Sequence, residues 1–239
     1  YDWPCINSHF GFLDTCGFPK DDAWYYKAWW GTSPSVHVFP HWNPDGKTAG
    51  KPVNVRCYAN TDEVELFVNG TSAGKKKILP QSRVDWEVPY TPGSLVVKGF
   101  TKGVEVASET TETTGAPAAV RLVADRATLK ADREDVSVVR VEIVDAKGRV
   151  VPVADNEVSF SVAGVGRIIG VGNGNPSSHE PDKAARRKAF NGLCLVLVQS
   201  TAQPGTATLT ATAPGLTPAT ATLTMSPAPQ RPSLPAEVK

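Results

Sequence analysis

The segment EVELFVNGTSAGKKK, residues 63–77, places an Asn-Gly pair directly after a run that alternates polar and apolar side chains. Alternation with a period of two is typical of a β-strand with one buried face. Asn69-Gly70 favours a type I′ turn, because both central residues of that turn need a positive φ. The segment therefore predicts a tight β-hairpin and indicates a β-rich fold.

Strand-like runs continue on both sides of this hairpin. SVHVFPHW and PVNVRCYAN lie upstream, and RVDWEVPY, GSLVVKGF and VEVASETT lie downstream, with Pro92-Gly93 and Lys102-Gly103 as further turns. About seven short strands separated by turn signals predict an immunoglobulin-like β-sandwich over residues 32–115.

A second sandwich is predicted after the low-hydrophobicity hinge TTETTGAP. It covers residues 116–226, where DAKGR reads as a hairpin turn and Thr/Ala alternation near the end marks strands with one solvated face. Residues 227–239 form a Pro-rich tail of the kind found in linkers.

The segment before the sandwiches has a different character. Of the 19 Phe, Trp and Tyr residues, 12 fall within the first 42 positions. Asp21-Asp22 is an N-cap signal for a helix of about ten residues, which Gly31 ends. Because this helix is aromatic on more than one side, it needs a large apolar partner surface.

Composition excludes several classes of protein. The net charge of +1 predicts no general attraction to nucleic acid, and no apolar run approaches the ~18 residues that span a membrane. The four cysteines contain no C-x-x-C pair, which argues against a zinc site. Cys5 and Cys16 could pair in an oxidising compartment, but free thiols are the simpler interpretation.

Three long stretches resemble glycoside hydrolase family 2 enzymes of the bacterial β-galactosidase type. WPCINSHFGFLDTCGFPKDDAWYYKAWW resembles the end of their catalytic (β/α)8 barrel, and VHVFPHWN with VNVRCYANTDEVELFVNGTSAGKKK resembles the sandwich that follows it. NEVSFSVAGVGRIIGVGNGNPSSHEPDKAARRKAFNGLCLVLVQS resembles their further immunoglobulin-like domain. The resemblance implies that residues 1–31 are the last loop and helix of the barrel.

The same resemblance implies where the chemistry lies. The two catalytic glutamates of the family stand on barrel strands upstream of Tyr1, so no residue of this chain is expected to be catalytic, and no cofactor or metal is expected. The loop after the eighth barrel strand can reach the active site, because barrel sites are built from such loops. Its candidate substrate-binding residues are Trp3, Ser8, His9 and Phe10, and barrel-rim packing is the alternative for each.

The expected function is therefore that of a non-catalytic C-terminal region in a retaining β-galactosidase. Its partners would be the upstream barrel and N-terminal domains and an oligosaccharide substrate, with neither nucleic acid nor membrane; a homo-oligomer stays open, and the resemblance implies a periplasmic or extracellular location. The alternative is a carbohydrate-binding or surface-binding module without catalysis, in which Trp42 and Trp86 would stack on sugar rings.

Two further patterns suggest sites but fit structural roles better. His37 and His41 could be paired metal ligands, yet Pro40 interrupts the strand and no third ligand is evident. Residues 170–174, GVGNG, resemble a dinucleotide loop, but no helix pattern follows them, so a Gly/Asn turn with positive φ is expected.

Overall fold

The computed structural model describes residues 4–5, 10–43 and 51–232. Within these residues lie one helix and sixteen strands: α1 (Asp21–Trp30), β1 (Val36–Phe39), β2 (Pro52–Ala59), β3 (Glu63–Val68), β4 (Thr71–Lys77), β5 (Val84–Pro89), β6 (Ser94–Thr101), β7 (Val104–Glu112), β8 (Pro117–Ala124), β9 (Thr128–Lys130), β10 (Val136–Asp145), β11 (Glu157–Gly164), β12 (Gly166–Gly172), β13 (Arg186–Lys188), β14 (Leu193–Ser200), β15 (Gly205–Thr212) and β16 (Ala219–Ser226). The prediction of a mainly β fold is confirmed.

Close contacts divide the chain into two units. The first is Ser8–Gly115, and the second is Ala116–Lys239 together with Pro4 and Cys5. Three of the candidate site residues, Trp3, Ser8 and His9, lie outside the described residues, as do residues 233–239 of the expected tail.

The first unit is a sandwich of seven strands. One sheet has the order β1-β2-β5 and the other the order β4-β3-β6-β7, and all neighbouring strands are antiparallel. Strands β3, β5 and β6 turn alternate side chains inward, and Val55, Leu66 and Leu95 are fully buried in a shared core.

The opening hairpin has the conformation that its sequence predicts. Asn69 and Gly70 adopt φ values of 50° and 80°, both positive as a type I′ turn requires. The Asn69 carboxamide donates to Thr91 Oγ1 and to the Pro92 carbonyl, and its oxygen accepts a bond from the Ser94 amide. Asn69 therefore fixes two adjacent turns of the same sandwich.

The second unit is a sandwich of nine strands. Its sheets have the orders β12-β14-β10-β8 and β13-β11-β15-β16-β9, and only the β16–β9 pair is parallel within the described residues. The predicted DAKGR turn joins β10 to the chain that follows: the Asp145 carboxylate accepts bonds from the Lys147 and Arg149 amides and pairs with the Arg149 guanidinium at 2.6 Å.

Two local predictions are wrong. Gly170 and Gly172 belong to strand β12 rather than to a turn, and Gly170 has no positive φ. The strand shifts register between Ile168 and Gly170, and glycine is common at such irregularities. In α1, the N-cap position is Lys20, which makes no side-chain cap bond, while Asp21 and Asp22 stand in the first turn and complement the helix dipole.

Candidate functional site

Helix α1 lies against the β1–β2 face of the first sandwich through aromatic contacts. The Trp24 ring stacks on His37 with centroids 4.5 Å apart, and Tyr25 meets Tyr58 edge-on at 5.4 Å. Ala28 is the one fully buried residue of the helix, which lets the helix approach the sheet closely. One side of the aromatic helix is therefore covered by this chain itself.

His37 is the charged centre of this contact. Its Nδ1 lies 3.1 Å from Oε1 of Glu109 on β7, and its Nε2 lies 3.9 Å from Oδ1 of Asp21 on α1. Burial alone lowers the pKa of His37, but the two carboxylates outweigh it and raise the pKa above its ordinary value. When it is protonated, the imidazole therefore links α1 to β7 through opposite charges.

We expect the His37 contact to weaken as pH rises. Because the pKa of His37 is raised in the folded state, the protonated ring stabilises the fold in full below the unfolded-state pKa of about 6.5. This stabilisation is lost as pH rises through the folded-state pKa. In urea unfolding, the free energy of unfolding of the wild type should exceed that of His37→Gln by about 1 kcal/mol at pH 6. This difference should shrink towards pH 9.

The control for that measurement is the substitution of a second histidine. The carboxylates that face His37 are those of Asp21 and Glu109, and Lys27, the remaining cation at the contact, lies 4.4 Å over the Trp24 ring. His41→Gln, at an exposed histidine of the same unit, should show no such pH trend. A wild-type advantage over His37→Gln that stays constant from pH 6 to 9 would contradict the account.

The other side of α1 presents aromatic rings to solvent. Tyr26 packs against Trp30 at 4.7 Å and against Phe12 at 5.3 Å, which makes a continuous ring cluster. Trp30 is 77% exposed and Phe10, which precedes the helix, is 86% exposed. We call Phe12, Tyr26 and Trp30 the outer aromatic face. Contiguous exposed apolar patches of this kind mark sites that other protein surfaces cover.

The loop before α1 is shaped by its own backbone bonds. The Asp14 carboxylate accepts bonds from the amides of Cys16 and Phe18, and Leu13 pairs with Pro19. Gly17 sits in this turn with φ 80°, where a side chain would be strained. The Asp14 side chain thus has a structural role in this loop.

A pocket of about 610 Å³ opens between α1 and the β4–β5 loop. It is lined by Tyr25, Tyr58, Gln81, Ser82, Arg83 and Asp85. The Tyr25 hydroxyl donates to the Gln81 carbonyl at 3.1 Å and joins the helix to the loop. Sequence reasoning missed this site, because its two halves are 56 positions apart in the chain.

The floor of the pocket is an ion pair between neighbouring strands. Nε of Arg56 donates to Asp85 at 2.6 Å and Nε of Arg83 donates to the same carboxylate at 3.3 Å. Burial raises the pKa of Asp85, but the two guanidinium groups outweigh it and hold that pKa below its ordinary value. The pKa of Tyr58 is raised by burial and by Asp22, and its hydroxyl donates a hydrogen bond to Asp22 Oδ1 at 3.4 Å.

The two tryptophans proposed as sugar platforms are core residues. Trp42 is 1% exposed and its Nε1 donates to the Thr91 carbonyl, and Trp86 is 4% exposed with its Nε1 donating to the Gly74 carbonyl. Trp86 lies on β5 between inward-facing Val84 and Val88. Neither ring can stack on a sugar, so that expectation is wrong.

Comparisons with known proteins agree with this fold. The model of glycoside hydrolase family 2 C-terminal domain 5 matches residues 120–222, and a domain of unknown function (DUF4982) matches residues 50–107. The chain is 47% identical over 218 residues to the beta-galactosidase BoGH2A of Bacteroides ovatus, covering 90% of this chain and 25% of that protein. The chain belongs to the C-terminal region of glycoside hydrolase family 2.

Solved structures of family 2 proteins share the same architecture. The crystal structure of a beta-glycosidase from Bacteroides vulgatus gives a TM-score of 0.89 at 36% identity, covering 94% of this chain and 29% of that one. A beta-glucuronidase of family 2 gives 0.81 at 30% identity, with 91% and 23% covered. The chain spans about a quarter of the length of the relatives it matches. The names of these relatives differ in the sugar: one is called a beta-galactosidase and another a beta-glucuronidase.

The second unit contains an irregular loop, residues 173–185, between β12 and β13. Arg187 is 3% exposed beneath it. Its Nη1 donates to the Glu180 carbonyl at 2.8 Å and to Asp182 Oδ1 at 3.2 Å, and its Nη2 donates to Asn173 Oδ1 at 3.4 Å. A buried guanidinium therefore fixes the loop from inside.

The outer side of this loop holds the start of the chain. Nε2 of His179 donates to the Pro4 carbonyl at 3.1 Å, and Sγ of Cys5 lies 3.4 Å from Ser177 Oγ. These bonds attach residues 4 and 5 to the second sandwich. Residues 4 and 5 belong to the stretch that resembles the end of the family 2 barrel.

The cysteines and the described ionisable residues add no further chemical site. None of the four cysteines forms a disulfide, so Cys5 and Cys16 are not bridged to each other. Burial raises the pKa of the Cys57 thiol to about 12, which leaves it protonated. Among the described residues, no three His, Cys, Asp or Glu side chains converge as metal ligands. None of the described helical structure is long and apolar enough to cross a bilayer.

Proposed function

We propose that this family 2 chain is the non-catalytic C-terminal region of a retaining β-galactosidase, which hydrolyses terminal β-galactosides through domains encoded upstream of Tyr1. Residues 1–31 complete the catalytic barrel, and the two sandwiches support it. The similarity to a named beta-galactosidase at 47% identity supports this sugar class. A periplasmic or extracellular location is part of the same proposal, and it rests on the resemblance to family 2 enzymes alone.

The outer aromatic face is the observation that carries the proposal. Its three rings are each more than a third exposed, whereas large side chains such as Trp42, Leu66 and Ile143 are buried in two cores. Burying one such side chain stabilises a contact by roughly 1.5–3 kcal/mol. The matching occupant is the apolar surface of neighbouring barrel helices, which would cover one side of α1 while the sandwich covers the other.

The acidic residues near α1 support the view that catalysis lies elsewhere. A retaining glycosidase needs two carboxylates about 5 Å apart, one of them free to attack the sugar. Asp14 accepts two backbone amides, Asp21 faces His37, and Asp22 accepts from Tyr58. Each has a structural task among the described residues, so the proposed catalytic pair comes from upstream.

Within this proposal, the loop from Trp3 to Phe10 lines the rim of the active site. Trp3, Ser8, His9 and Phe10 are the residues proposed to touch substrate. Of these, Phe10 lies among the described residues, with an exposed ring and a carbonyl that accepts a bond from Lys20 Nζ.

Hydroxyl-radical footprinting tests the packing of the outer aromatic face. In the 239-residue chain, Phe12 and Trp30 should be oxidised readily, because both rings are exposed. In the product of the coding sequence that extends upstream of Tyr1, their oxidation should fall at least about tenfold, as expected for buried rings. Trp42, which is buried in this chain, should resist oxidation in both proteins.

A variant gives the matched control. Trp30→Asp should leave the stability of the 239-residue chain within about 0.5 kcal/mol, since the ring is exposed there. In the longer protein the same change would bury a carboxylate and should cost several kcal/mol. Equal oxidation of Phe12 and Trp30 in both proteins, or a neutral Trp30→Asp in both, would overturn the proposed role of α1.

A further inference from the structure

The pocket beside α1 has the composition of a site for a hydroxyl-rich ligand. Its lining contains no aliphatic side chain, which disfavours a lipophilic ligand. One lining cation, Arg83, is already paired with the one lining anion, Asp85, which disfavours a free phosphate or sulfate. What remains is a set of hydrogen-bond donors and acceptors next to two aromatic rings.

Several of these groups keep unused hydrogen-bonding capacity. Arg83 gives only its Nε to Asp85, and among the described residues no acceptor meets its Nη groups. The Gln81 carboxamide likewise makes no hydrogen bond to any described residue, although its backbone carbonyl accepts from Tyr25. Arg83 is 53% exposed and Asp85 36% exposed, so both can reach a ligand from the pocket floor.

The lining is also held in place before any ligand arrives. Gln81 adopts φ 56°, a left-handed conformation that costs a non-glycine residue about 1 kcal/mol or more. The Tyr25 hydroxyl holds the carbonyl of this strained residue, and Arg56 fixes Asp85 at 2.6 Å. Strain of this kind persists where the surroundings enforce it, and it is frequent at ligand-binding sites.

We infer that this pocket binds a neutral saccharide. A sugar hydroxyl both donates and accepts, so neighbouring hydroxyls can accept from Arg83 and Gln81 while donating to Asp85. The apolar C–H face of the ring packs on Tyr25, whose ring is partly exposed. The binding belongs to the 239-residue chain and does not depend on the proposed hydrolase function.

Titration followed by ¹H–¹⁵N NMR tests this inference. Lactose, added to the 239-residue chain at up to about 20 mM, should shift the amide resonances of Gln81, Ser82 and Arg83 with a millimolar Kd. Arg83→Ala and Gln81→Ala should each weaken binding about tenfold, because each removes hydrogen bonds to the sugar. The matched control Lys98→Ala, at an exposed ion pair of the same unit, should leave the Kd unchanged.

The other outcomes are decisive as well. Galacturonate and inorganic sulfate probe the alternative chemistry: if they shift the pocket resonances and lactose does not, the site is an anion site and the inference is wrong. It is also wrong if lactose, galactose and cellobiose shift none of these resonances in the folded chain. Because hydrolysis is not measured here, failure of this test leaves the proposed function standing, and the reverse also holds.

Discussion

Replacing Trp42 with alanine is expected to lower the free energy of unfolding of the Ser8–Gly115 unit by about 3–5 kcal/mol. Trp42 is 1% exposed, its ring packs on Tyr90 at 5.0 Å, and its Nε1 donates to the Thr91 carbonyl at 2.9 Å. Truncation leaves a cavity and removes the hydrogen bond to the Thr91 carbonyl at the same point. Urea unfolding followed by tryptophan fluorescence measures the loss.

Fluorescence suits this measurement because five of the six tryptophans lie within residues 8–115. Trp42→Phe keeps most of the ring volume and loses the Nε1 bond, so it should cost about 1–2 kcal/mol. Trp30→Ala, at an exposed ring of the same unit, should change stability by less than about 0.5 kcal/mol. A stable Trp42→Ala variant that has lost only sugar binding would return Trp42 to the role of a sugar platform.

The sequence predicts the parts of this fold that local chemistry decides. Asn69-Gly70 fixes the first hairpin because a type I′ turn needs two positive φ values, and the structure has both. The helix ends at Trp30 before Gly31, as expected. Its start is one place off, because the Asp21 and Asp22 carboxylates act on the first turn and not as a cap.

The burial of Trp86 was within reach of the sequence. Val84, Trp86 and Val88 share one parity on β5, and all three are buried. Alternation therefore assigns Trp86 to the core face, which rules it out as a sugar platform. Trp42 offers no such signal, because it follows Pro40 outside any strand and is buried by contacts with Tyr90 and Thr91.

The saccharide pocket could not be predicted from the sequence. Tyr25 comes from α1, Tyr58 from β2 and Asp85 from β5, and only the folded chain brings them together. The same is true of His37, whose partners Asp21 and Glu109 are separated by most of the first unit. Long-range side-chain contacts leave no periodic trace, whereas turns and strands do.

Hydrolysis is the most direct test of the central claim, that this chain is the non-catalytic part of a family 2 β-galactosidase. The product of the coding sequence that extends upstream of Tyr1 should hydrolyse nitrophenyl β-galactoside with a kcat of about 1–10³ s⁻¹. It should prefer this substrate over nitrophenyl β-glucuronide by at least about 100-fold in kcat/KM, because a site built to pair sugar hydroxyls rejects a mismatched group strongly. The 239-residue chain alone should show no turnover above the buffer rate. Turnover by the 239-residue chain, no hydrolysis of any β-glycoside by the longer protein, or a preference for the glucuronide would contradict the account.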